Sequence, residues 1–218
     1  MKKSFLFLLT FFSGLLLTAQ VPFQGEINAF KKADSIKAPL PGSILFVGSS
    51  SFRKWQDVQA YFPGYRIINR GFGGSALPDL IHFAPDVIYA YKPSQIVIYC
   101  GDNDLAASDT VTAQMVLKRF KQLFGMIRHT LGEVPVAYVS IKPSPSRWHL
   151  EPAISAANRL IAQFMAKQRK ATFIDIHRPM LREDGIVNGA LFTSDSLHMN
   201  EKGYKLWQGI IRPHLKKG

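Results

Sequence analysis

Two short segments far apart in the chain carry the residue types of acyl transfer: Gly48-Ser49-Ser50-Ser51, and Asp195-Ser196-Leu197-His198 near the C-terminus. A serine hydroxyl is a weak nucleophile at neutral pH and needs a neighbouring base. A histidine three residues after an aspartate can be that base, because the carboxylate fixes the ring's tautomer and orientation and stabilises the imidazolium that forms. Two further polar turns lie between them, Asn69-Arg70-Gly71-Phe72-Gly73-Gly74 and Gly101-Asp102-Asn103-Asp104. Glycine N–H groups and an asparagine amide are suitable donors to the oxyanion of a tetrahedral intermediate, and glycine lets a substrate approach the backbone closely. The four turns share one chemical meaning, and that joint meaning is more specific than any single turn.

Each turn also has a plainer explanation. Serines before a helix commonly cap it, and residue chemistry alone leaves Ser49, Ser50 and Ser51 all open as the attacking group. Asn103 in Gly-Asp-Asn-Asp suits an Asx-turn. Among the other histidines, His82 and His129 fall in predicted helices and His214 lies near the chain end, but His177 follows Asp175 at the end of a predicted strand and competes with His198. The glycines of the second turn do not follow Gly-x-Gly-x-x-Gly, and no Lys-Ser/Thr pair comes after them, which argues against nucleotide binding. Asp102, Asp104, Asp175 and His177 are the residues from which a hard-metal site would be built, yet no His-Glu-x-x-His or cysteine cluster accompanies them, so no metal is expected. Cys100, the one cysteine, closes the apolar run Ile96-Val97-Ile98-Tyr99 and is expected to be a buried core thiol; it allows no intramolecular disulfide.

The elements that must position these turns follow from the hydrophobic pattern. Lys2 and Lys3 precede an apolar run from Phe5 to Leu17, and Leu17-Thr18-Ala19 offers a small residue at a cleavage position. The run is shorter than the ~20 residues of a spanning helix, so residues 1–19 read as a secretory signal peptide and the protein as exported, periplasmic or secreted. Residues 20–218 are enough for one domain with a substantial core, and a hydrophobic share of 47% argues against disorder. The formal charge of +12 is spread along the chain. It reads chiefly as a solvated surface and is compatible with an anionic polysaccharide or membrane surface as partner; no basic-aromatic interleaving points to nucleic acid. Val21 to Leu40 is expected to form a short amphipathic helix and a proline-marked loop. Strands are predicted at residues 43–48, 65–69, 95–100, 134–141 and 171–176, each nearly continuous in apolarity as in a sheet covered on both faces. Helices are predicted at 77–91, 111–131, 153–170 and 201–215, with Asn200 as cap of the last and Met115, Phe120, Leu123, Phe124 and Ile127 as core contacts of the second. This alternation predicts an α/β fold with a five-stranded parallel sheet flanked by helices, and ligands beyond the carboxyl ends of the strands. The Ser50, Gly74 and Asn103 turns each follow a predicted strand at that end.

At these turns the chain resembles the SGNH hydrolases, the GDSL-type esterases, from about Ile44 to the C-terminal helix. The block Phe46-Val47-Gly48-Ser49-Ser50-Ser51 matches the nucleophile motif at Ser50; Gly74 matches the oxyanion glycine, Asn103 the oxyanion asparagine, and Asp195 and His198 the last block. Ser49 stands where the family's name-giving motif has aspartate. The resemblance implies a three-layer, flavodoxin-like fold and a serine esterase that needs no cofactor. Ser50 attacks, His198 takes and returns the proton, Asp195 orients His198, and the Ser50 N–H, the Gly74 N–H and the Asn103 amide hold the oxyanion. Ser49, Trp148 and His149 are candidate substrate contacts, the last two in a proline-rich loop from Lys142 to Pro152. No apolar insertion of lid size is present, so short acyl groups are expected, acetyl above all, with carbohydrate O-acetyl esters as the leading substrate class. The rivals are a lipid acylhydrolase of lysophospholipase or platelet-activating-factor-acetylhydrolase type, a non-catalytic carbohydrate-binding protein on the same scaffold, and a metal-dependent phosphoesterase.

Overall fold

The computed structural model describes residues 21–217; the signal-peptide expectation for residues 1–19 lies outside them. Five parallel strands form one sheet: β1 (Ile44–Gly48), β2 (Ile67–Gly71), β3 (Gln95–Tyr99), β4 (Val136–Val139) and β5 (Ala171–Ile174), in the order β2-β1-β3-β4-β5. β1 is central among the first three, paired with β2 on one side and β3 on the other, so that Gly48 lies beside both Gly71 and Tyr99. Its five residues are all buried, because helices cover both faces.

Alternation along the strands sends side chains to two separate cores. Leu45, Val47, Ile96 and Ile98 face α1 (Gln24–Ile36), α4 (Leu77–Val87), α6 (Ala113–Leu131) and α7 (Glu151–Met165). Ile44, Phe46, Val97 and Tyr99 face the other layer, made by α2 (Ser50–Arg53), α3 (Val58–Tyr61) and α8 (Glu201–Ile211). That second layer is aromatic. Trp207 of α8 lies 4.9 Å from the Tyr99 ring and 6.2 Å from Phe52, and Tyr204 stacks on Trp55 at 4.8 Å.

The parallel sheet and its flanking helices match the sequence expectation, and the differences at element ends have local causes. The fourth strand is shorter than 134–141. After Val139 the chain turns away: the Ser140 hydroxyl accepts the N–H groups of Ile176 and His177, and Asn158 takes the N–H of Ile141. The predicted helix 77–91 stops at Val87, two residues beyond Pro85, and continues only as a 3-10 turn, Tyr89–Tyr91, closed by Lys92 in a left-handed conformation. Met115 is a correction. It is 40% exposed, and the neighbouring Val116 and Leu117 take the core positions of α6. Asn200 does cap α8, its side chain accepting from the N–H groups of Lys202 and Gly203.

Gly48 closes β1 with φ of 142°, a conformation open in practice only to glycine. A Cβ there would stand 1.9 Å from the Tyr99 carbonyl oxygen, which accepts the Ser49 N–H at 2.9 Å and cannot move without breaking the ladder. Gly48→Ala is therefore expected to cost at least ~3 kcal/mol of unfolding free energy. Urea denaturation of the variant beside the parent checks this; a loss under about 1 kcal/mol would contradict it.

Candidate active site

Three of the four polar turns follow neighbouring strands. Ser50 is the first residue of α2, directly after β1. Gly74 lies between β2 and α4. Asn103 is in α5 (Asp102–Ala106), directly after β3. The fourth turn, bearing Asp195 and His198, precedes α8. The docking of α8 brings it within reach, for the Tyr204 hydroxyl donates to the Ser51 carbonyl at 2.9 Å across the aromatic layer.

The turn before α8 is tightly self-bonded. Asp195 Oδ1 accepts the N–H groups of Leu197 and His198 at 3.0 and 2.9 Å and the Thr193 hydroxyl at 2.8 Å. Its Oδ2 lies 2.6 Å from His198 Nδ1, and His198 Nε2 lies 3.1 Å from Ser50 Oγ. Partial desolvation pushes the Asp195 pKa up, but the hydrogen bonds from the His198 ring, the two backbone N–H groups and Thr193 outweigh it. Its carboxyl is held well below the usual carboxylate range. The imidazole is thus hydrogen-bonded at Nδ1 to a carboxylate that stays charged and at Nε2 to a serine hydroxyl. That arrangement can move a proton from the hydroxyl to the ring.

On the other side of Ser50 lie the donors. Among the described residues, no acceptor engages the backbone N–H of Ser50 or of Gly74. Gly74 is exposed, and a Cβ there would meet only Asn103 Nδ2, at 3.9 Å, which places the glycine beside the asparagine amide. Asn103 Nδ2 donates to Ser49 Oγ at 2.6 Å and to the Ser75 carbonyl at 3.0 Å. Ser49 is fully buried, which limits it to this internal contact, and Ser51 is buried beneath α8. Of the three serines, only Ser50 meets the imidazole.

The remaining candidates separate from this centre. His177 bonds Glu151 through Nε2 at 2.9 Å, away from Ser50. Asn69 is structural, its amide donating to the Phe52 and Trp55 carbonyls at 2.7 and 3.1 Å. The four residues of the hard-metal reading are divided among other partners. Asp102 sits between Lys142 and Arg147, at 3.5 and 3.2 Å. Asp104 takes Arg119 at 2.7 Å and the Leu77 N–H at 2.8 Å, while Asp175 accepts backbone N–H groups of its own turn. No group of three or more His, Cys, Asp or Glu side chains among the described residues is arranged to hold a metal ion. Cys100 is fully buried, and desolvation, reinforced by Asp104, pushes its thiol well above the ordinary value, as expected of an inert core residue. In the 3-10 segment Pro145–Leu150, Trp148 is half-buried against the aromatic layer and His149 is exposed.

Two contacts at the site have no counterpart in the sequence expectations, although Arg147 belongs to the 142–152 loop expected to wall the substrate pocket. Glu26 of α1 accepts the Gly73 N–H with both carboxylate oxygens, at 3.1 and 3.2 Å, and pairs with Arg53 at 2.7 Å, so the first helix holds the glycine turn from behind. Arg147 donates to Asn103 Oδ1 at 2.9 Å. Neither contact has a local sequence signal, since the partners are 47 and 44 residues apart.

The family model for GDSL-like lipase/acylhydrolase matches residues 34–206. No curated protein matches the chain. Among solved structures, a Streptococcus pneumonia protein provisionally described as a platelet activating factor is similar over 88% of this chain and 92% of its own, with TM-score 0.76 and 19% identity. A GDSL-like lipase from Bacteroides thetaiotaomicron is similar over 86% of this chain and 96% of its own, with TM-score 0.71 and 18% identity. An acetyl-xylooligosaccharide esterase from Geobacillus gives 79% and 93%, TM-score 0.63 and 14% identity. At these identities the structural likeness speaks for the fold, and the family model speaks for the chemistry: the chain belongs to the GDSL-like lipase/acylhydrolase family and is a carboxylic ester hydrolase.

Proposed function

We propose that this hydrolase is an exported serine esterase that removes short acyl groups, acetyl above all, through a Ser50-His198-Asp195 triad and an acyl-enzyme. The observation that carries the reading is the unbroken contact chain from Ser50 Oγ to His198 Nε2, 3.1 Å, and from His198 Nδ1 to Asp195, 2.6 Å. Ser50 attacks the ester carbonyl as His198 takes its proton; the C–O bond to the alcohol then breaks, and His198 returns the proton to the leaving alkoxide. Water attacks the acyl-enzyme by the same route, releasing the acid and restoring Ser50. The N–H groups of Ser50 and Gly74 and the Asn103 amide receive the oxyanion. An incoming oxyanion competes with Ser49 Oγ for one hydrogen of Asn103 Nδ2. A neutral hydroxyl releases that donor at less cost than the aspartate of the family motif would, because hydrogen bonds to a charged acceptor are the stronger ones.

Carbohydrate O-acetyl esters are the substrate class we favour. The expected signal peptide and basic surface suit an extracellular or periplasmic polysaccharide, and the fold is shared with an acetyl-xylooligosaccharide esterase. The similar fold of the Streptococcus protein keeps a lipid ester as the second reading. Trp148 and His149 stand on the segment adjoining Arg147 and are proposed to border the alcohol moiety.

Hydrolysis of p-nitrophenyl acetate, butyrate and octanoate tests the first reading: activity should fall steeply with chain length and vanish in Ser50→Ala. Residual activity in Ser50→Ala would rule out this nucleophile, and a preference for octanoate would favour the lipid reading. Asn103→Ala should lower kcat by about 10²–10³ with little change in KM, as loss of one oxyanion donor does; equal kcat in both proteins would remove Asn103 from the hole. Because the Asp195 carboxyl is depressed, its orienting charge persists as pH falls through the ordinary carboxylate range near pH 4 and is lost only below it. Titration of Asp195 is therefore expected to cause no fall in kcat/KM above about pH 4, and Asp195→Asn is expected to lower kcat by about 10³–10⁴. A pH–rate profile of parent and variant checks both, and a variant within tenfold of the parent would contradict the assignment.

A further inference from the structure

An asparagine amide is nearly symmetric in shape, and only its Nδ2 end can donate to an oxyanion. What selects the orientation of Asn103 is therefore part of the catalytic design. Nδ2 faces the Ser75 carbonyl at 3.0 Å and Ser49 Oγ at 2.6 Å, and Oδ1 faces Arg147 Nη2 at 2.9 Å. Ser49 is indifferent, since a hydroxyl both donates and accepts. Ser75 and Arg147 are not. The reversed amide would set an oxygen against a carbonyl and an NH₂ against a guanidinium.

Arg147 is itself held from two sides. Its segment is tied to the turn of the base, the Ser146 N–H donating to the Ser196 carbonyl at 3.0 Å. Its Nη1 is shut off from solvent and lies 3.2 Å from Asp102 Oδ2 without hydrogen-bond geometry, leaving Nη2 aimed at Asn103. Lys142, 2% exposed, approaches the same Oδ2 at 3.5 Å. Two cations thus share one carboxylate, whose other oxygen accepts the Asn103 N–H at 3.0 Å. The cluster leaves positive charge beside the amide oxygen. That charge polarises the amide so that its N–H hydrogens become better donors, and in a water-poor setting it opposes little in the neutral ester but favours the charged intermediate.

We propose that Arg147 is a positioning residue of the oxyanion hole, locking Asn103 with Nδ2 toward the reacting carbonyl and supplying, with Lys142, the positive charge behind it. The proposal rests on the oxyanion role of Asn103. Because Arg147 acts through Asn103 and not on the ester, its effect belongs in kcat and depends on Asn103 being present.

A double-mutant cycle on p-nitrophenyl acetate hydrolysis decides it, with Arg147→Met, Asn103→Ala, the pair combined, and Arg147→Lys. Arg147→Met is expected to lower kcat about 10–100-fold with KM within about twofold, less than loss of the oxyanion donor itself. In the Asn103→Ala background the same change should cost less than about threefold, because coupled residues are not additive. Arg147→Lys, which keeps the charge and the pairing with Asp102 but not the planar fork, should recover part of the loss and stands in should Arg147→Met fail to fold. A rise in KM with kcat unchanged would make Arg147 a substrate contact and overturn the proposal. So would an equal loss in both backgrounds, while Asn103→Ala alone remains impaired. Full kcat in Asn103→Ala would overturn the oxyanion reading and this proposal together, which separates the two failures.

Discussion

The active end of the molecule depends on how closely β1 and β3 approach at Gly48. There the Ser49 N–H meets the Tyr99 carbonyl with no room for a side chain between them. The Gly48 carbonyl in turn accepts the Phe72 N–H at 2.9 Å and the Ser75 hydroxyl at 3.3 Å. One glycine therefore cross-ties the exits of three strands. Ser50 is placed by the turn it opens, Gly74 by the loop its carbonyl holds, and Asn103 by the Ser49 and Ser75 contacts on either side. A buried ladder hydrogen bond cannot lengthen without leaving polar groups unpaired in the interior, so these three turns move together or not at all.

His198 arrives by a different route. His198 is 148 residues from Ser50, and its distance from the serine is set by packing. The turn that carries it is closed by its own hydrogen bonds and by Asn200, whose amide also donates to the Ala190 and Phe192 carbonyls. Helix α8 then seats that turn by wedging Trp207 and Tyr204 among Phe52, Trp55 and Tyr99. The residues that anchor α8 flank the proposed nucleophile, so dispersion and apolar burial in the second core bear directly on a hydrogen-bond distance at the surface.

Charge is handled in the same economical way. Asp102 and Asp104 lie on either side of Asn103, both buried, and each is matched by basic side chains from other elements. Burial raises the pKa of Asp104 against the lowering pull of the Leu77 N–H and Arg119. These pairings explain why a cluster of acids that reads in sequence as metal-like is structural here: its lone pairs are already committed to cations and backbone.

The sequence by itself determined the strand-helix alternation, the parallel sheet, and the four turns at one end of it. Those features are local: apolar runs, glycines at exits, and an aspartate three residues before a histidine whose contact needs little more than the turn between them. Cys100 as a core residue and Asn200 as a cap were legible for the same reason. That Ser50, and not Ser49 or Ser51, meets an imidazole, and that this imidazole is His198 and not His177, was not readable from residue types alone. Each depends on which side chain faces which partner after the sheet closes. Met115 was misplaced because helical periodicity fixes a stripe but not its rotation, and the facing helix selected Val116 and Leu117 instead. Glu26 behind the glycine turn and Arg147 behind the asparagine amide were decided wholly by tertiary structure. Both act across more than forty residues, and a long-range hydrogen bond leaves no periodic trace in the chain that forms it.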